Sequence, residues 1–103
     1  MKVIVTSFAQ QQINETADYI RREFDRSRMS RFLQKVRETR RLLADNPYLG
    51  PIESILSEKQ VTYRYVVVDK LNKMVYYIEN EKIIIADFWD CRREPAALAN
   101  QVN

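Results

Sequence analysis

Residues 61–93 read VTYRYVVVDKLNKMVYYIENEKIIIADFWDCRR, and the remainder of the chain reads as packing for them. Runs 61–68, 74–78 and 82–89 are nearly all β-branched or aromatic, the composition that suits a pleated, half-buried surface. Two short polar segments, 69–73 and 80–81, separate the runs. Asparagine is one of the few non-glycine residues that tolerate positive φ, so Asn80 and Glu81 can turn the chain tightly. The expectation is a three-stranded antiparallel meander. Arg64 stands inside its first run, and Arg92 and Arg93 follow its last. A working surface is expected there.

Upstream, residues 2–6 are a short apolar run long enough to join a sheet as its first strand. Ser7 followed by Gln10 matches a capping box, which predicts a helix from Phe8. Ile13, Ala17, Ile20 and Phe24 recur at spacings of four, three and four, one stripe of a helix facing a core. Asp25 or Ser27 can cap a second helix, whose apolar side is set by Met29, Phe32, Leu33, Val36 and Leu43. So short a connection predicts an antiparallel helical hairpin. Asn46 ahead of Pro47 ends the second helix, because the proline ring disfavours the α conformation in the residue before it. Residues 47–51, PYLGP, hold the only glycine. Residues 52–60 carry little signal beyond a loop or loose turn, and Pro95 suits the first position of a short final helix over 96–99. The order is strand, helix, helix, strand, strand, strand. It describes an α+β fold in which the hairpin covers one face of an antiparallel sheet.

At 103 residues and 46% apolar content the chain is sized for one domain with a core of its own. Cys91 is the lone cysteine and histidine is absent, so no internal disulfide can form and the usual zinc ligands are missing. No metal or other cofactor is expected. No run of eighteen apolar residues exists, which argues against a membrane span and for the cytoplasm. Net charge is only +3, but residues 21–41 hold nine basic side chains against three acidic ones. Arg22, Arg26, Arg37, Arg40 and Arg41 are therefore candidates for contact with a polyanion or an acidic protein, the alternative being a solvated helical face.

The layout, the spacing of Leu43, Pro47 and Gly50, the strand opening Tyr63, Arg64, Tyr65, Val66, Val67, and the strand-end Arg92 and Arg93 together resemble the RelE/ParE superfamily of bacterial type II toxins. The resemblance covers roughly the whole chain and rests on these features in combination. It implies a small toxin held inactive by a cognate antitoxin, with DNA gyrase as target in the ParE branch and the translating ribosome and its mRNA in the RelE branch. Cleaving mRNA through the ribose 2′-hydroxyl needs a base, a proton donor for the leaving oxygen and cations for the transition state. In RelE-like nucleases these are lysines before the second strand, an arginine in it, an arginine after the last strand, and a tyrosine or histidine in the tail.

Arg64 matches the strand arginine, and Arg92 or Arg93 the later one. Only Lys59 stands near the lysine positions, and the tail AALANQVN has neither tyrosine nor histidine. Arginine stabilises charge but, always protonated, is a poor base. Arg64, Arg92, Arg93 and Lys59 are thus read as charge stabilisers, and the ParE-like reading, action through a binding surface, is preferred. The alternatives are the RelE-like endonuclease and an inactive relative serving as a binding module. Arg64 also has a structural reading, a cross-strand pair with Asp87 or Glu79. Trp89 is either a partner-contacting platform or core packing.

Overall fold

The structure is a computed structural model that describes residues 1–56 and 60–90. Its elements are β1 (Lys2–Val5), α1 (Ser7–Glu23), α2 (Arg26–Asp45), a 3-10 turn (Ser54–Leu56), β2 (Arg64–Val67), β3 (Asn72–Glu79) and β4 (Lys82–Asp90). The sheet order is β1-β4-β3-β2. The α+β order is the expected one, and β2, β3 and β4 form the antiparallel meander. The sheet as a whole is mixed, because β1 lies parallel to β4, with Val3 opposite Ile83 and Val5 opposite Ile85. A parallel partner needs a crossover of a dozen residues or more, and the helical hairpin is part of that crossover.

Helix α1 begins one residue earlier than the capping-box pattern suggests. Thr6, not Ser7, is the N-cap, its Oγ1 accepting from the Ala9 amide at 3.2 Å. The same hydroxyl donates to the Ile85 carbonyl at 3.0 Å, so one side chain starts the helix and fastens it to β4. Ile13 and Ala17 are buried as their spacing requires, but Phe24 is 54% exposed. The helix stops at Glu23, and the cap conformation of Phe24 (φ −127°, ψ −102°) turns its ring off the stripe. Asp25 caps α2 by accepting from the Arg28 amide at 2.8 Å. Phe32, Val36 and Leu43 are buried beneath it. Each such side chain stabilises the fold by about 1.5–3 kcal/mol through the apolar surface it removes from water.

Strand β2 is shorter than the 61–68 run. On the edge away from β3, the start of β2 and the residue before it pair with the loop after α2: the Tyr65 amide donates to the Pro51 carbonyl and the Glu53 amide to the Tyr63 carbonyl. At the first turn, Asp69 Oδ1 accepts from the amides of Leu71 and Asn72, both at 3.0 Å. At the second, Asn80 and Glu81 take φ of 51° and 60°, the left-handed pair that a two-residue hairpin of type I′ demands.

The register slips between Val75 and Tyr76, leaving Ala86 as an extra residue in β4. Ile83 and Ile85 face the helices before this bulge, and Phe88 does so after it. Asp87 and Trp89 are thereby buried toward the other face, where Trp89 packs with Leu56, Tyr63 and Val75 in a second apolar cluster. The final helix expected over 96–99 lies outside the described residues.

Candidate functional site

Arg64 sits opposite Tyr76 in the β2–β3 register, beside the loop that leaves α2. Its Nη1 donates to the Gly50 carbonyl at 2.9 Å, and its guanidinium lies 5.1 Å from the centre of the Tyr48 ring. The Tyr76 hydroxyl completes the arrangement, donating to the Pro47 carbonyl at 2.8 Å and accepting from the Gly50 amide at 3.0 Å. Burial pushes that hydroxyl above its ordinary value of 10.0, against the smaller lowering effects of the Gly50 amide and of Arg64. Gly50 is required by space, since a Cβ there would stand 2.2 Å from the Tyr65 carbonyl oxygen. The spacing of Leu43, Pro47 and Gly50 thus has a physical meaning. Leu43 anchors the last turn of α2 in the core, Pro47 ends it, and Gly50 lets the loop lie against β2.

Among the described residues Arg64 makes no ion pair, so the pairing considered with Asp87 or Glu79 is not formed. Asp87 is fully buried two strands away, and its carboxylate accepts from the Phe88 amide at 2.7 Å. Glu79 is exposed at the β3–β4 turn opposite Lys82. Lys59, Arg92 and Arg93 lie outside the described residues, so of the four candidate charge stabilisers only Arg64 is placed. Trp89 is 2% exposed, its ring in the second cluster and not at the surface.

The arginine stripe divides into separate surfaces. Arg21 and Arg22 both reach Asp18, at 2.7 and 3.4 Å, and the Arg21 hydrogen bond holds that exposed carboxyl below its ordinary value. Arg26 is exposed at the first position of α2. Arg28 lies 4.6 Å from the Phe24 ring. Arg37, Arg40 and Arg41 gather around a hollow at the far end of α2.

Sequence reasoning missed two features. Lys73, placed in a turn from the sequence, belongs to β3 and pairs with the buried Glu53 while lying 4.9 Å from the Tyr65 ring. The period-two pattern of Lys73, Val75 and Tyr77 is the signal that puts it on the sheet. The second feature is a groove of about 520 Å³ between α1 and the open end of the sheet, floored by Tyr19, Ile20, Phe24, Leu71 and Phe88. Glu15, Asp69 and Asp90 border it, and it runs past Phe24 into a smaller hollow of about 340 Å³ edged by Arg28, Arg31 and Lys35. The exposed Phe24 ring is what links the two.

Among the described residues no group of three or more His, Cys, Asp or Glu could hold a metal ion. No helix among them is long and apolar enough to cross a membrane. No curated protein matches the chain. A family model described as the ParE toxin of the type II toxin-antitoxin system parDE matches residues 3–95. That span takes in the helical hairpin, the PYLGP loop and the whole meander, and on it the chain belongs to the ParE toxin family of type II toxin-antitoxin systems.

Proposed function

We propose that this chain is a toxin subunit neutralised by a cognate antitoxin lying in the groove beside Phe24. Released, it acts by binding a cellular target such as DNA gyrase and not by cutting RNA. The observation that supports a binding mode of action is the employment of Arg64. Its guanidinium is engaged by the Gly50 carbonyl and the Tyr48 ring, so its first duty is to hold the loop against β2. Always protonated, it brings no base to a phosphodiester. Lys59, Arg92 and Arg93 add charge stabilisation only.

The groove suits an amphipathic segment. Tyr19, Ile20, Phe24 and Leu71 offer apolar anchorage, and Arg28, Arg31 and Lys35 attract acidic side chains at one end. Arg22 and Arg26 flank that end on neighbouring turns, and the family itself implies an antitoxin partner. The setting is a soluble, cytoplasmic one in which growth inhibition maintains a plasmid.

The test is induced expression with and without the antitoxin, followed by two assays on purified chain. Growth arrest relieved by the antitoxin, with gyrase supercoiling inhibited and mRNA intact, is the expected result. Cleavage of mRNA only on translating ribosomes replaces the proposal with a RelE-like endonuclease. Absence of arrest leaves an inactive member of the family that binds without poisoning.

A further inference from the structure

We propose that the hollow at the C-terminal end of α2 docks the phosphate backbone of duplex DNA. Arg37, Arg40 and Arg41 stand at i, i+3 and i+4, which puts their guanidiniums on one helical face. β1 brings Lys2 to the opposite wall, and together they line a hollow of about 410 Å³ that no carboxylate enters. The amino group of Met1, fixed 2.9 Å from the Ala44 carbonyl, adds positive charge at the rim. Among the described residues none of these four side chains is in an ion pair, whereas Arg21 and Arg22 share Asp18. Like charges this close repel, and an anion removes the repulsion.

The lining selects the occupant. Guanidiniums match phosphate oxygens in a two-pronged geometry, and four cations in one hollow fit closely spaced phosphates. The apolar remainder of the lining is only Met1, Val3 and Ala44, too little to anchor a peptide. The groove beside Phe24 fills that need, about 18 Å away along α2 as counted from Arg28 to Arg40 at 1.5 Å per residue. The hollow has no aromatic side chain, and binding of single strands relies on aromatic stacking. It also lacks the Asn, Gln or acidic side chains that read adenine and cytosine; arginine can read guanine, but four cations gathered in one hollow match the closely spaced phosphates, so the contact is to the backbone of a duplex.

The test measures binding of the full chain to a fluorescent mixed-sequence 20-base-pair DNA at several salt concentrations. Antitoxin is omitted so that only this chain contributes contacts. With four phosphates neutralised, the logarithm of the binding constant is expected to fall against that of salt with a slope of about −3.5, and R40Q/R41Q brings the slope to about −2. At low salt that variant is expected to lose at least about tenfold in affinity, while R21Q/R22Q loses less than about twofold. R40K/R41K keeps the charge and the slope. The proposal is overturned by an R40Q/R41Q variant that binds like wild type, by an equal loss in R21Q/R22Q, by a lysine variant whose slope falls as far as the glutamine one, or by a polyglutamate peptide displacing the duplex more readily than unlabelled duplex does. None of these readouts involves growth arrest, so the DNA contact and the toxin reading stand or fall separately.

Discussion

Replacing Gly50 by alanine tests the account of the PYLGP loop most directly. Gly50 does not need a left-handed backbone; it needs the absence of a side chain. A Cβ there would meet the Tyr65 carbonyl oxygen at 2.2 Å, whereas ordinary contact begins near 3.4 Å, so loop and strand must separate by about 1 Å. The two nearest atoms, the Tyr65 carbonyl oxygen and carbon, are backbone and cannot swing aside. That displacement stretches the bond from the Gly50 amide to the Tyr76 hydroxyl and the bond from Arg64 to the Gly50 carbonyl. At about 1 kcal/mol net for each bond and about 1–3 kcal/mol for the forced contact, G50A costs about 3–5 kcal/mol. Against a stability of about 5–15 kcal/mol, this is a large share. The assay is urea unfolding followed by circular dichroism, in which the midpoint falls while the slope stays constant. Y76F supplies the second arm. It strips the Pro47 carbonyl and the Gly50 amide of their partner and costs about 1–3 kcal/mol. Because both changes break the bond between the Gly50 amide and the Tyr76 hydroxyl, the double variant is expected to lose about 1 kcal/mol less than the separate losses combined. A G50A protein within about 1 kcal/mol of wild type, or full additivity with Y76F, refutes the account.

K73M takes the Lys73 ammonium from the buried Glu53 carboxylate, so it is expected to lower stability by about 1.5–3 kcal/mol, the worth of a hydrogen bond to a charged group, in the same urea assay. F24S removes an exposed ring that caps no core, so the melting temperature should hold within about 3 °C while antitoxin affinity falls at least about tenfold by calorimetric titration. The Tyr63 and Tyr76 hydroxyls are both raised above 10.0 by burial, Tyr63 also by the neighbouring Tyr77 hydroxyl. Above pH 10 the unfolded chain therefore loses protons that the folded chain keeps, and stability falls as pH climbs from 10 through the folded values. Unfolding titrations between pH 8 and 11.5 should show that decline, flattened in Y63F/Y76F.

Local chemistry was legible where it acts over a few residues. Ile13 and Ala17 announced their burial through spacing, Pro47 announced the end of α2, and Asn80 with Glu81 announced a hairpin turn. What sequence left open depends on geometry at a distance. Thr6 and Ser7 are both hydroxyl residues, and which one caps α1 is settled by the reach of Thr6 to Ile85 on β4. Phe24 fits the apolar period, and only the helix ending one residue earlier exposes it. The bulge at Ala86 shifts the alternation of β4, so inward and outward faces cannot be counted through it. The site was legible as residue types and not as an arrangement. Arg64 stands out in the sequence as a charge inside a strand run, but its partners, Gly50 and Tyr48, are fourteen and sixteen residues away in the chain. The arginine stripe likewise counts as one feature in sequence and falls into separate surfaces once Asp18 and Phe24 are placed.

The parallel seam between β1 and β4 joins residues 2–5 to residues 82–85. During synthesis the first strand therefore waits, unpaired, until most of the chain has been made, which at about 5–20 residues per second takes several seconds. Until then Thr6 has no Ile85 carbonyl to bind, and Ala9, Ile13 and Ala17 have no β4 to cover. A message cut short before codon 82 thus encodes two amphipathic helices without their floor, a fragment fit for proteolysis. The order of the strands makes a closed sheet, and with it a covered helical hairpin, available only once the last strand has been made.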